Sequence, residues 1–216
     1  MKQLVIFDLD GTLLDTSAGI IHCYNETARH FGAAPADKAR FQGIIGGPLK
    51  AGFEKLYGLG DATADQAVAH YRVLYEQTGM RMYDIYPGIA DLLAQLREAG
   101  VQTAVATLKL EKFAKIMLAE AGLVFDAIFG EDGTGLSKAH LLQQAMARLG
   151  MSPGQSLLVG DSIYDAQGAQ QAGLDFIAVT YGWGFANRDD AARSVHSAIA
   201  ESVAELSAKL FDSTRV

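Results

Sequence analysis

Seven side chains that could bind a metal ion or a phosphate stand at the ends of predicted strands or at the start of a predicted helix. They are Asp8, Asp10, Thr107, Lys109, Lys138, Asp161 and Asp165. Ligands of an open parallel sheet bind beyond the carboxyl ends of its strands, so we expect these side chains to converge on one rim. Carboxylates in such proximity repel each other, by roughly 4 kcal/mol for a pair at about 4 Å and an effective dielectric of about 20. They stay ionised only beside a counter-ion.

The chemistry that suits this set is phosphate binding next to a divalent cation. Mg²⁺ fits a site that combines a few carboxylates with waters and phosphate oxygens. The hydroxyl of Thr107 and the ammonium of Lys138 can hold the remaining phosphate oxygens. Gly11 lets backbone N–H groups approach an anion closely. The sequence therefore predicts a magnesium site beside a phosphate-binding site.

The elements that position these residues alternate between strands and helices. Apolar runs typical of strands buried on both faces cover residues 3–10, 101–107, 125–130, 156–161 and 176–182. Helical patterns lie between most of them, as at Ile89, Leu92, Leu93 and Leu96. This alternation predicts a doubly wound α/β fold with right-handed crossovers.

One long interval departs from the alternation. Between the first strand and a helix that begins near Pro87, the sequence contains no convincing strand. Ile20, Tyr24, Ala28 and Phe31 form a helical stripe there. We therefore expect a helical cap domain over residues 17–82, inserted into a core domain formed by residues 1–16 and 83–216.

Composition restricts the function classes. The 216 residues carry 25 acidic and 18 basic side chains, a net charge of −7, which argues against nucleic acid or an anionic membrane as partner. The single cysteine, Cys23, excludes an internal disulfide and a cysteine-based zinc site. No apolar stretch reaches the roughly 20 residues of a membrane span or resembles a signal peptide. We expect a cytoplasmic monomer or dimer with a small phosphorylated metabolite as partner.

Four motifs resemble those of the haloacid dehalogenase superfamily, in its phosphoglycolate phosphatase-like branch. Residues 7–16, FDLDGTLLDT, resemble the first motif, and residues 160–165, GDSIYD, resemble the fourth. Thr107 and Lys138 match the second and third motifs in order and position. The resemblance covers nearly the whole chain. It implies a Rossmann-like, doubly wound parallel-sheet core with an inserted helical cap.

The resemblance also implies a mechanism. Asp8 would be the nucleophile that forms an aspartyl-phosphate, and Asp10 would protonate the leaving alcohol and then deprotonate the attacking water. Mg²⁺ would be held by Asp8, Asp161 and the main-chain carbonyl of Asp10. Asp165 would orient Lys138, the third catalytic residue, or a metal-bound water.

Substrate contacts are expected from Gly11 and from the second motif, Thr107, Leu108 and Lys109. The family often has a small polar residue where this chain has Leu108. That change removes one side-chain donor and leaves the backbone N–H groups. Lys109 either contacts the substrate or caps the helix that follows it.

The predicted function is Mg²⁺-dependent hydrolysis of a small phosphomonoester similar to phosphoglycolate. A sugar phosphomutase of the β-phosphoglucomutase type, or a nucleotidase, is the alternative. Strong stimulation by a sugar bisphosphate would favour the mutase. A non-catalytic binding module is disfavoured, because such a protein should have lost some carboxylates, whereas Asp8, Asp10, Asp161 and Asp165 are all present.

Overall fold

The structure is a computed structural model that describes residues 2–212. Its strands are β1 (Leu4–Phe7), β2 (Leu14–Asp15), β3 (Asp84–Ile85), β4 (Gln102–Leu110), β5 (Ala127–Glu131), β6 (Ser156–Gly160), β7 (Asp175–Val179) and β8 (Ala198–Ala200). Its α-helices are α1 (Ser17–His30), α2 (Leu49–Tyr57), α3 (Asp61–Gln77), α4 (Ile89–Glu98), α5 (Glu111–Glu120), α6 (Lys138–Leu149), α7 (Ile163–Ala172), α8 (Arg188–Ala191) and α9 (Val203–Asp212). Short 3-10 turns cover Lys38–Phe41, Gly79–Arg81 and Pro153–Gln155.

Six parallel strands form the central sheet, in the order β5-β4-β1-β6-β7-β8. β1 lies between β4 and β6, with Phe7 opposite both Val105 and Val159. The chain winds outward from β1 to one side and then to the other. In such sheets the crevice where the order reverses is the usual ligand site. The predicted doubly wound α/β fold is confirmed.

Both faces of the sheet are covered by helices. Val5 and Phe7 point into the core formed with α4, α5 and α9, whereas Leu4 and Ile6 point into the core formed with α6 and α7. Successive residues of a strand face opposite sides, so a strand buried on both faces needs an unbroken apolar run.

Two parts of the sheet differ from the sequence prediction. β4 continues beyond Thr107 to Leu110, and its register against β5 shifts between these two residues. Such an irregularity re-aims the side chains near it. β8 was not predicted, because a strand of three residues, Ala-Ile-Ala, gives too little pattern to recognise.

Helices α1, α2 and α3 lie between β2 and β3, within the segment predicted as the cap. Tyr24 of α1 is at the centre of their packing, with ring centroids 4.5 Å from Phe53 and 5.0 Å from Tyr71. The two chain crossings pair as antiparallel strands, with Asp15 opposite Asp84. Among the described residues no helix combines the length and apolar character that crossing a membrane requires.

Candidate active site

Asp8 lies at the point where the strand order reverses, directly after β1. Its backbone N–H donates to the carbonyl of Val159 on the neighbouring β6, and the residue is only 4% exposed. The ammonium of Lys138, at the start of α6, lies 2.5 Å from Asp8 Oδ1. The topology thus brings together the first and third predicted motifs, 130 residues apart in the chain.

Lys138 also contacts Asp165. Its Nζ atom lies 2.6 Å from Asp165 Oδ1. The other oxygen of Asp165 accepts hydrogen bonds from the backbone N–H and the hydroxyl of Ser162, the N-cap of α7. Asp165 is therefore fixed by a capping box and in turn fixes the ammonium that faces Asp8. Although burial lowers the pKa of Lys138, the carboxylates of Asp165 and Asp8 hold that pKa above its usual value.

Asp161 follows β6, and its side chain is held by hydrogen bonds from residues 181–185, which we call the tryptophan loop. The backbone N–H groups of Trp183 and Gly184 each donate to Asp161 Oδ2 at 2.8 Å. A Cβ atom at Gly182 would lie 2.4 Å from the same oxygen, so this close approach requires glycine. The second oxygen, Oδ1, is buried and has no hydrogen-bond partner among the described residues.

Three carboxylates form a possible metal group. Asp8, Asp161 and Asp165 each offer an oxygen atom, and these atoms lie within 4.8 Å of one another. Burial raises the pKa of Asp8 to about 7, against the opposing effect of Lys138. Burial also raises the pKa of Asp161 well above its usual range, and the nearby Asp165 and Asp8 add to the effect. A hard cation would compensate these charges and satisfy the unpartnered oxygen, so the residues present fit Mg²⁺.

Asp10 is turned away from the metal group by the backbone after β1. Its carboxylate accepts a hydrogen bond of 2.6 Å from the hydroxyl of Thr16 and contacts the ammonium of Lys109 through both oxygens. Gly11 permits this turn, since its φ of 78° is unfavourable for other residues. The N–H of Gly11 donates to the carbonyl of Leu14, so the group expected to approach an anion is already used within the turn.

The second predicted motif lies in the irregular end of β4. Thr107 is buried, and its hydroxyl oxygen accepts the backbone N–H of Lys109 at 3.2 Å. The ammonium of Lys109 also lies 4.5 Å from the centre of the Tyr75 ring. Asp10 and Tyr75, rather than the end of a helix, are therefore the partners of Lys109. Leu108 is half-buried and lines the cavity beside the site.

A cavity of about 490 Å³ opens from Asp10 between helices α1, α2 and α3 and the rim of the sheet. Residues 44–50, which precede and begin α2, supply part of its wall. Cavities of about 300–1,000 Å³ are typical of small-molecule sites. The site thus has a buried polar end at the sheet and a larger chamber bordered by α1, α2 and α3.

Sequence reasoning missed two contributors to this site. The first is Trp183, whose backbone holds Asp161 and whose ring Nε1–H donates to Asp15 at the chain crossing. Thr16, the hydrogen-bond donor to Asp10, was not assigned a separate role. The signal available for the loop was a pair of glycines, Gly182 and Gly184, just after a strand.

Tyrosine-protein kinase PtkA of Mycobacterium tuberculosis is 39% identical over 191 residues, which cover 87% of this chain. This chain spans only 64% of the length of PtkA. A phosphoglycolate phosphatase of Rhodospirillum rubrum is 34% identical over 197 residues, which cover 85% of this chain and 81% of the relative.

Among solved structures, a predicted phosphatase from Clostridium acetobutylicum has a similar fold, with a TM-score of 0.91 and 33% sequence identity. The alignment covers 98% of this chain and 99% of that structure. Residues 5–179 match the family of haloacid dehalogenase-like hydrolases, and they include all the residues of the four motifs. The chain belongs to this family, as its motifs predicted.

Proposed function

We propose that the protein is a Mg²⁺-dependent phosphatase that hydrolyses a phosphomonoester through an aspartyl-phosphate. The observation that carries this proposal is the pairing of buried Asp8 with Lys138 beside the unpartnered oxygen of Asp161. The nucleophile, the ammonium of Lys138 and an Asp161 oxygen that is free to bind a metal ion thus lie together where the strand order reverses. The names of the phosphatase relatives support the same reaction class.

In this reaction an oxygen of Asp8 attacks phosphorus while the bond from phosphorus to the alcohol oxygen breaks. Asp10 would enter the first step protonated and give this proton to the departing alcohol; as the resulting carboxylate it would take a proton from the water that hydrolyses the aspartyl-phosphate, which restores its starting form. Thr16 and Lys109 hold the carboxylate of Asp10 from two sides, which fixes its position for both steps.

Asp8 and Asp161 are the side chains that would hold Mg²⁺, together with the main-chain carbonyl of Asp10. The ion would supply positive charge next to the transferring phosphoryl group. Both oxygens of Asp165 are already engaged, by Lys138 and by Ser162, so Asp165 acts by positioning Lys138.

The remaining phosphate oxygens would contact the ammonium of Lys138, the hydroxyl of Thr107 and the backbone N–H of Leu108. Lys109 is a further candidate, because its ammonium lies on the cavity wall next to Asp10. The cap over residues 17–82 would close on the bound ester and exclude water from the first transfer. Phosphoglycolate is the reference substrate, given the name of the Rhodospirillum rubrum relative.

The test is phosphate release from p-nitrophenyl phosphate by the whole protein. We expect activity with Mg²⁺, none in excess EDTA, and recovery when Mg²⁺ is restored. Ca²⁺ should restore it poorly, because its larger and looser coordination shell disturbs in-line attack. Full activity in excess chelator would contradict the metal assignment. Activity of Asp8→Asn equal to that of the wild-type protein would contradict the assignment of Asp8 as the nucleophile.

The 39% identity to PtkA supports a second candidate, transfer of the phosphoryl group to a protein tyrosine. The two activities are separated by incubating the protein with γ-labelled ATP and a tyrosine-containing peptide. Label on the peptide would favour the kinase, whereas label only in inorganic phosphate would favour the phosphatase.

A further inference from the structure

Two residues of the tryptophan loop form backbone hydrogen bonds in two directions. The N–H of Trp183 donates to Asp161 Oδ2 at 2.8 Å, and the N–H of Phe185 donates to the main-chain carbonyl of Asp161 at 2.7 Å. The carbonyls of the same two residues accept hydrogen bonds from the segment between α1 and α2. The backbone N–H of Gly43 donates to Trp183 at 2.7 Å, and the side-chain amide of Gln42 donates to Phe185 at 3.1 Å.

We propose that Gln42 is a positioning residue for the metal site. Together with the backbone of Gly43, it holds the tryptophan loop in the place where that loop fixes Asp161. Mg²⁺ binding at Asp161 and the position of Gln42 and Gly43 are therefore coupled. This inference rests on the metal site of the proposed function, and it adds to that site a residue outside the four motifs that acts through the loop.

The loop controls the orientation of the Asp161 carboxylate. Two backbone N–H groups, those of Trp183 and Gly184, donate to Oδ2, whereas Oδ1 has no partner among the described residues. Fixing one oxygen of a carboxylate fixes the direction of the other. Groups that hydrogen-bond to a metal ligand commonly change metal affinity about 10- to 100-fold when they are removed. Gln42 lies one contact further away, so its effect on the affinity should be smaller.

The place of the tryptophan loop depends on such individual contacts. Residues 181–185 lie between β7 and α8, outside the helices and strands of the described chain, so no sheet ladder fixes them. The indole ring of Trp183 has contacts of its own. Its Nε1–H donates to Asp15 at 3.0 Å, and the ammonium of Lys38 lies 5.1 Å from the ring centroid. Lys38 and Gln42 thus contact the loop from the same side of the molecule, the segment that precedes α2.

The coupling extends to the chamber next to the site. Residues 44–50 follow Gly43 directly and line the cavity, and Ile44 and Ile45 are buried there. Thermodynamic linkage is reciprocal: the contacts of Gln42 and Gly43 strengthen ion binding by the same free energy by which the ion strengthens the contacts. Mg²⁺ should therefore stabilise the start of this wall in the absence of any phosphomonoester.

Calorimetric titration of the whole protein with Mg²⁺ tests the role of Gln42. Gln42→Met keeps a side chain of similar length and removes the amide that donates to Phe185. We expect the dissociation constant for Mg²⁺ to rise about threefold, within the range that one hydrogen bond is worth. Gln66→Met, at an exposed position of α3, is the matched control and should bind Mg²⁺ like the wild-type protein. An affinity of Gln42→Met equal to that of the control would overturn the inference.

Exchange of the Gly43 amide proton, followed by nuclear magnetic resonance, tests the reciprocal effect. At Mg²⁺ roughly ten times its dissociation constant, exchange should slow about five- to tenfold, because opening of the loop then has to release the ion. In Asp161→Asn the same Mg²⁺ concentration should leave the exchange of Gly43 unchanged. The N–H of Gly58, which donates to the carbonyl of Glu54 at the end of α2, is the control amide. Equal slowing at Gly43 and Gly58 would show a general stabilisation and would overturn the coupling.

Failure of the metal assignment has a different signature from failure of the coupling. If the wild-type protein binds no Mg²⁺ in the calorimeter, the metal site of the proposed function fails and this inference fails with it. If Mg²⁺ binds but leaves the exchange of Gly43 unchanged, the inference fails alone.

Discussion

The ammonium of Lys109 lies 2.9 and 3.0 Å from the two carboxylate oxygens of Asp10. Both side chains are only 7% exposed, so each charge is compensated mainly by the other. Although burial lowers the pKa of Lys109, Asp10 holds it above its usual value. The pair therefore neutralises the carboxylate that we propose as acid and base.

Replacing one member of this pair should destabilise the fold. We expect Lys109→Met to lower the free energy of unfolding by about 3 kcal/mol, because it leaves a buried carboxylate unpaired. Urea unfolding measures the effect. The control is the double variant Lys109→Met, Asp10→Asn, which should lose less than the sum of the two single variants. Additive losses would show that the two side chains do not interact.

Gly182 should be intolerant of a side chain. A Cβ atom there would lie 2.2 Å from the carbonyl oxygen of Gly11 and 2.4 Å from Asp161 Oδ2. We expect Gly182→Ala to displace the Asp161 carboxylate and to weaken Mg²⁺ binding about tenfold, as changes around metal ligands commonly do. Calorimetric titration with Mg²⁺ measures this affinity. Gly154→Ala is the control, because a Cβ at Gly154 meets no atom within 4 Å; equal affinities for the two variants would contradict the account.

Trp183 should report metal binding by its fluorescence. It is the single tryptophan of the chain, and its backbone N–H donates to Asp161. Its ring N–H donates to Asp15, which also accepts the N–H of Ser17 at the start of α1. We expect Mg²⁺ to change the emission of the wild-type protein and to leave that of Asp161→Asn unchanged. A response of the same size in both proteins would place the ion elsewhere.

Cys23 should react slowly with thiol reagents in the folded protein. It is fully buried on α1, and burial raises the pKa of its thiol to about 11. The thiolate, which is the reactive form, is therefore scarce at pH 8 and increases only as the pH rises toward that value. Labelling with a disulfide reagent at pH 8 should be complete only after unfolding. Rapid labelling of the native protein would show that α1 is more open than the structure indicates.

The sequence predicted the sheet and the rim residues because both depend on local pattern. Apolar runs such as Leu4–Phe7 reveal strands buried on both faces, and the polar residues that follow them must reach the same edge. Asp8, Asp161 and Lys138 do lie together, and the family inferred from them is confirmed.

The partners of Lys109 and Trp183 could not be predicted in this way. Lys109 reaches Asp10 across 99 residues because β4 continues irregularly beyond Thr107, and a register shift leaves no sequence pattern. The tryptophan loop holds Asp161 through two backbone N–H groups. Every residue except proline carries such a group, so the residue types of the loop do not reveal this contact. Such contacts are decided by tertiary packing rather than by residue type.

Phosphorylation of Asp8 and proton transfer by Asp10 are tested most directly by rapid-quench measurement with p-nitrophenyl phosphate, in Asp10→Asn and in Asp8→Asn. Nitrophenolate leaves with little need of a proton, so Asp10→Asn should release about one equivalent per site in a burst. Slow turnover should follow, since the water has lost its base, and the protein should carry acid-labile phosphate. Asp8→Asn should give neither burst nor bound phosphate. A burst from Asp8→Asn, or phosphate retained on it, would contradict the account.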